Sequence, residues 1–250
     1  MASKTTIVFV PGAWHSPDAF RAVGSYLEKS GYKTQYVPLP SVGASPAVKD
    51  FSADVKAIAS VISKEVEAGQ KVVLVVHSYG GLPGNEAVKD LDLASREKAG
   101  EKGGVSHIFF CCSFVIPEGQ SLHTAFGSQD LPWWSISDDK MIVTPKTPEQ
   151  IFYNDLSEAD VKKYVAQLQT HGYQTFFSKV THPAWKTVPS TYLYCLKDQA
   201  IPIEIQKMMV EGTAKGAPMR TDTLDAGHSP FINMPQETAN AIMRAAEIPV

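Results

Sequence analysis

The chain has 250 residues, 44% of them apolar and 20% charged, with a net charge of −3. These figures suit one sizeable globular domain, and the slight negative balance gives no footprint for nucleic acid or an anionic membrane. No apolar run reaches the roughly 18 residues that a bilayer span requires.

Two periodicities alternate along the chain. Thr6 to Val10 is a β-branched apolar run, as expected of a strand buried on both faces. Ser16-Pro17-Asp18 then offers a helix cap, a proline at the first helical position and an early acid. Phe20, Val23 and Leu27 follow at helical spacing, and Gly31 stands where a glycine would stop the helix. Thr34 to Val37 reads as a second strand. A helix from about Phe51 to Ala68 places Val55, Ile58, Ile62 and Val66 on one stripe. Lys71 to Val76 is a third strand, and a helix is expected from the following glycines through Leu91. The polar stretch Ala94 to Gly104 reads as a solvated loop. Val105 to Val115, Ser190 to Leu196 and Arg220 to Leu224 complete a set of six strands, with helices at Pro202 to Met209 and Gln236 to Ala246. Strands alternating with helices predict an α/β fold with a mostly parallel sheet flanked by helices and right-handed crossovers.

Residues 117–189 break the alternation. The pattern there is helical, aromatic and irregular, with helix starts at Thr147-Pro148-Glu149 and Ser157-Glu158-Ala159-Asp160. Val161, Tyr164, Val165 and Leu168 fall on one face. The expected organisation is a core from residues 1–116 and 190–250, with 117–189 as a helical lid over the C-terminal sheet edge. That edge is where open α/β sheets bind ligands.

Ser78 is the leading candidate for chemistry. A nucleophilic serine has to be lifted clear of the backbone on a sharp strand-to-helix turn, which favours small residues two before and two after it. The segment reads Val76-His77-Ser78-Tyr79-Gly80, with Gly81 next, so the pattern G-x-S-x-G lacks its first glycine. Its place after a buried strand and before a helix supplies the expected context. His228, in Gly227-His228-Ser229-Pro230, is the candidate base, since a loop at the sheet edge lets it reach the serine. His15, His77, His107, His123, His171 and His182 compete with it. His77 adjoins the serine, but its side chain is expected to point away from the turn in a structural role. Asp198, in Lys197-Asp198-Gln199-Ala200-Ile201-Pro202, would hold the imidazole tautomer and stabilise its charged form. The plainer reading of Asp198 is a turn or helix-capping residue. Backbone N–H groups of Tyr79 and of Ala13, in Val10-Pro11-Gly12-Ala13-Trp14, are the expected oxyanion donors, with Gly12 allowing close approach of a ligand.

Taken together, Val8 to Trp14, Val75 to Gly81, Tyr194 to Pro202 and Gly227-His228 make the chain resemble the α/β-hydrolases. The likeness is closest to the plant-type methyl-esterase and hydroxynitrile-lyase branch and its microbial hydrolase relatives. It covers nearly the whole chain and is thinnest in the inserted segment. Pro11 stands where most members have histidine. The order Ser78, Asp198, His228 is that of the family. Hydroxynitrile lyases carry a lysine after the catalytic histidine and a threonine in the oxyanion loop, where this chain has Ser229 and Gly12. The resemblance therefore implies hydrolysis rather than cyanohydrin cleavage.

The expected activity is that of a serine esterase acting on a small apolar or aromatic ester, with Gly12, Trp14, Trp133, Trp134 and Trp185 as candidate substrate contacts. A lactonase on a cyclic ester fits the same residues. So does a receptor-like relative that binds a small molecule with little turnover. There is no GxGxxG after a strand, no P-loop, no HExxH and no His/Cys cluster at zinc spacing, so neither a cofactor nor a metal is expected. Cys111, Cys112 and Cys195 form no CxxC pair, and the N-terminus carries no secretory h-region. Both features point to a cytoplasmic protein with reduced thiols, monomeric or homodimeric.

Overall fold

The computed structural model describes residues 5–247. In chain order, β1 (Thr6–Val10) leads through a 3-10 turn into α1 (Arg21–Lys29), β2 (Lys33–Tyr36), α2 (Ser52–Glu67) and β3 (Lys71–His77). Next come α3 (Gly81–Ala87), α4 (Leu93–Lys98) and β4 (Gly104–Cys111). The 117–189 segment holds α5 (Leu122–Ala125), β5 (Trp134–Ile136), β6 (Ile142–Pro145), α6 (Pro148–Ile151), α7 (Glu158–Val165) and β7 (His171–Gly172). The chain then returns to β8 (Ser190–Cys195), α8 (Ile203–Lys207), β9 (Met219–Leu224), α9 (Pro230–Asn233) and α10 (Pro235–Ala246).

Six strands form one parallel sheet in the order β2-β1-β3-β4-β8-β9. The alternation of side chains along each strand divides the core into two layers. Ile7, Phe9, Val73, Val75, Phe109 and Leu193 face one side, in a cluster with Leu27 of α1 and Ile242 of α10. Val8, Val10, Leu74, Val76, Ile108, Phe110 and Tyr192 face the other, in a cluster with Ile58 and Ile62 of α2 and with aromatics from the 117–189 segment. All five residues of β1 are buried, which explains an uninterrupted apolar run where a half-exposed strand would alternate. The order reverses at β1, with β2 on one side and β3 on the other. Loops leaving the C-terminal ends of β1 and β3 therefore stand at the switch point where such sheets bind ligands.

Three expectations need correction. The polar stretch 94–104 is not all loop, because Asp92 accepts the Ser95 N–H at 2.9 Å and caps α4. The fourth strand leaves the ladder after Cys111, and Cys112 turns to φ 34°. The 117–189 segment is only partly helical, since β5, β6 and β7 form an antiparallel three-stranded sheet. The stripe from Val161 to Leu168 does pack against the core, as the periodicity predicts. No helix among the described residues is long and apolar enough to cross a membrane.

Candidate active site

β3 ends at His77, and Ser78 follows at φ 51°, in the left-handed region that side-chain-bearing residues seldom occupy. Close approaches at glycines accommodate this turn. A Cβ on Gly80 would lie 2.5 Å from the Pro11 carbonyl oxygen, and one on Gly12 would lie 2.8 Å from Ser78 Cβ. Neither position has room for a side chain. Val76, where the sequence pattern wants glycine, finds its space elsewhere: a Cβ on Gly84 of α3 would come within 2.6 Å of Val76 Cγ1. The small residue is thus supplied by the facing helix. The Ser78 carbonyl is held from the end of β4 by Ser113 Oγ at 2.8 Å and the Phe114 N–H at 3.2 Å.

Asp198 and His228 come from loops after adjacent strands, β8 and β9, whose last residues Cys195 and Leu224 pair in register. His228 Nδ1 lies 2.8 Å from Asp198 Oδ2, and both side chains are essentially fully buried. The other carboxylate oxygen accepts the Ala200 and Ile201 N–H groups at 2.8 and 2.9 Å. Asp198 is therefore a turn-capping residue and an imidazole partner at once. With Nδ1–H directed at the carboxylate, Nε2 of His228 is left as the acceptor. Among the described residues, no hydrogen bond joins His228 to the Ser78 hydroxyl, a contact that often tightens only when substrate is bound.

Further residues support these three, among them Gln206, which sequence reasoning passed over. Gln206 of α8 is fully buried, with Oε1 accepting the Cys195 N–H and Nε2 donating to the Cys195 and Ile201 carbonyls. It braces the loop that carries Asp198. His77 Nε2 donates to the His228 carbonyl at 2.9 Å, and Cys112 Sγ approaches the same oxygen at 3.3 Å. The structural role expected for His77 is thus to hold the backbone of the other histidine. Burial, reinforced by neighbouring His228 and His15, keeps His77 well below the usual histidine range and so neutral. His77, Cys112 and His228 are also the one trio among the described residues with donor atoms close enough to bind a metal ion. His77 Nε2 and Cys112 Sγ are already directed at the His228 carbonyl.

Ala13 and Tyr79 each have a buried tether. His15 Nδ1 donates to the Ala13 carbonyl at 2.7 Å, and its Nε2 accepts the Tyr153 hydroxyl at 2.9 Å. Burial pushes His15 down to about 4, and nearby His228 acts in the same direction. The Tyr79 hydroxyl donates to Asp54 Oδ2 at 2.7 Å, while Asp54 Oδ1 accepts the Ser41 N–H at 2.8 Å. Burial raises the Asp54 carboxyl, although both hydrogen bonds pull it back. Two of these bonds, Tyr79–Asp54 and Tyr153–His15, join residues 25 and 138 positions apart, a separation that periodicity and short motifs do not register.

Above Ser78 lies a cavity of about 320 Å³. Ser78, Ala13, Tyr79, Ala200 and Ile201 line it, and Trp14, Trp133, Trp134, Phe152, Phe176 and Phe114 are among its aromatic walls. Trp14 sits at φ 66° and anchors its indole N–H on the Val143 carbonyl of β6 at 2.9 Å, tying the loop after β1 to the small sheet. Three of the expected tryptophans therefore reach the cavity, but Trp185 does not. It is buried elsewhere, with Nε1 on the Ile116 carbonyl and its backbone N–H on Asn85 Oδ1. Gly12 does not line the cavity either, and its place is against Ser78 and His77.

Comparisons with known proteins agree with this architecture. A hydrolase of Aspergillus novofumigatus, the alpha/beta hydrolase nvfD, is 30% identical over 247 residues, covering 97% of each chain. Polyneuridine aldehyde esterase of Rauvolfia serpentina is 22% identical over 240 residues, covering 87% of this chain and 86% of its own. Among solved structures, a pyrethroid hydrolase from Sphingobium faniae JZ-2 superposes with a TM-score of 0.76 at 20% identity, covering 98% of both chains. Plant methylesterases are also among the relatives. The sequence profile of the alpha/beta hydrolase family matches residues 7–241, and the chain belongs to that family.

Proposed function

We propose that the protein is a serine hydrolase that cleaves a carboxylic ester of a small apolar or aromatic molecule. His228 Nε2 takes the Ser78 proton as Oγ attacks the ester carbonyl, and the Ala13 and Tyr79 N–H groups hold the resulting oxyanion. Collapse of that intermediate breaks the carbonyl–alkoxy bond, and His228 returns the proton to the leaving alcohol. Water, deprotonated by His228 in turn, then releases the acid from Ser78. Asp198 holds the Nδ1–H tautomer and stabilises the imidazolium formed in each half-reaction.

The observation that carries this reading is the pairing of a left-handed Ser78 with the buried His228–Asp198 couple at one edge of the sheet. The aromatic walls of the cavity support an apolar substrate. The esterase and hydrolase names carried by relatives agree with it. Crowding at Gly12 argues against the threonine of a hydroxynitrile lyase at that place.

Steady-state hydrolysis of aryl acetates and of lactones by wild-type and Asp198→Asn protein tests the reading. The substitution leaves the geometry but sets the wrong tautomer, so kcat is expected to fall by about 10⁴. Equal turnover by the two proteins would remove the triad from the mechanism, and a preference between the substrates assigns esterase or lactonase.

A further inference from the structure

A second space lies against the aromatic wall of the cavity above Ser78. Phe114 and Phe126 line it, and the same two side chains also line a second groove of about 530 Å³. Their rings meet edge to face, with centroids 5.5 Å apart and planes at 87°. One pair of rings is thus all that the two spaces need share as a partition. Beyond it the groove is bounded by Val115, Ile205, Met208 and Met209, and none of its lining residues is charged.

The far wall is irregular. After α8 the helix widens into a π turn over Met208–Thr213, a feature often found where a helix is shaped for a ligand. Met209 Sδ accepts the Val115 N–H at 3.3 Å, which fastens this turn to the chain leaving β4. Met208 is left 55% exposed on the groove, one of three large apolar side chains so exposed among the described residues. An unbranched thioether side chain adapts readily to an apolar guest of variable shape.

We propose that this groove is a subsite for the distal apolar arm of the substrate, with Phe114 and Phe126 as the passage between it and the reacting ester. The inference rests on the ester-hydrolase reading and deepens it. The substrate class becomes esters with an extended alkyl or aryl arm, longer than the cavity above Ser78 accommodates. The arm leaves water for an uncharged groove, so each methylene it buries there is expected to raise kcat/KM by about fourfold.

The test compares kcat/KM for two series, 4-nitrophenyl acetate to octanoate and ethyl to octyl acetate, in wild-type protein and in Met208→Glu. The first series places the arm on the acyl side and the second on the alcohol side. Met208 is exposed, so the substitution does not disturb the core. The wild-type ratio of octyl to short-chain kcat/KM is expected to exceed one in one series, and to drop by about fivefold or more in the variant. Ratios that match between the two proteins in both series overturn the proposal. Should wild-type protein hydrolyse no ester at all, the hydrolase reading fails, and calorimetric titration with dodecanoate then judges the groove. Binding weakened by about fivefold in the variant supports an apolar subsite, and equal binding or none overturns it.

Discussion

The Tyr79 phenol belongs to the residue directly after the candidate nucleophile, yet its hydroxyl is committed to Asp54 on α2. A carboxylate buried this completely is tolerable only while its oxygens have donors. Tyr79→Phe removes one of them and keeps the backbone N–H in place. Folding stability is expected to drop by about 1–3 kcal/mol, read from urea unfolding, because an acceptor is left unpaired in the core. An unchanged midpoint would show that the bond contributes nothing. At this scale Ser78, Asp198 and His228 were legible because each sits in a short local pattern next to a strand end. Asp54, Gln206 and His15 were not. Asp54 and His15 reach partners 25 and 138 residues away, Gln206 holds main-chain groups 5 and 11 residues back, and nothing in their immediate neighbours marks a buried polar side chain as a tether. Trp185 shows the converse, since being aromatic and within the inserted segment does not say which way a side chain faces.

Helices and strands of the main sheet were readable because full burial on both faces leaves an apolar run that few other environments produce. The small sheet was not readable. Its strands, Trp134–Ile136, Ile142–Pro145 and His171–Gly172, have four residues at most, too few to display alternation, and their pairing spans a long excursion of chain. The contact of α3 with β3 lies at the same scale. Val76 departs from the elbow pattern, and Gly84 on α3 supplies the missing space. Gly84→Ala is therefore expected to destabilise the protein by about 1–3 kcal/mol through overpacking. In a Val76→Ala background the same substitution should cost much less, because the opposing methyl groups are gone. A double-mutant cycle with zero coupling energy would contradict this complementarity.

For the whole molecule, the buried histidines set a pH dependence. Burial first holds His15 and His107 down to about 4 and His171 to about 3, whereas the same groups titrate near 6.5 in an unfolded chain. Between those values the unfolded chain binds protons that the folded one refuses. Stability accordingly falls on acidification through that window, by about 1.4 kcal/mol per pH unit for each histidine. The raised carboxyl of Asp54 works in the opposite sense, as the folded state there takes up a proton that the unfolded chain lacks. With His77 held well below the usual range as well, four histidines against one carboxyl give a Tm expected to fall from about pH 7.5 to about pH 5.5. A Tm that rose over that range would contradict neutral burial of the histidines.

The central claim concerns the sheet edge, where loops from β1, β3, β8 and β9 converge on one serine. Reaction with a fluorophosphonate, followed by peptide mass mapping, tests it most directly, because the reagent modifies only a serine activated as a nucleophile. A single adduct on Ser78, abolished by His228→Ala, is the predicted result. An intact Ser78 under conditions that label a control hydrolase, or equal labelling in the histidine variant, would contradict it.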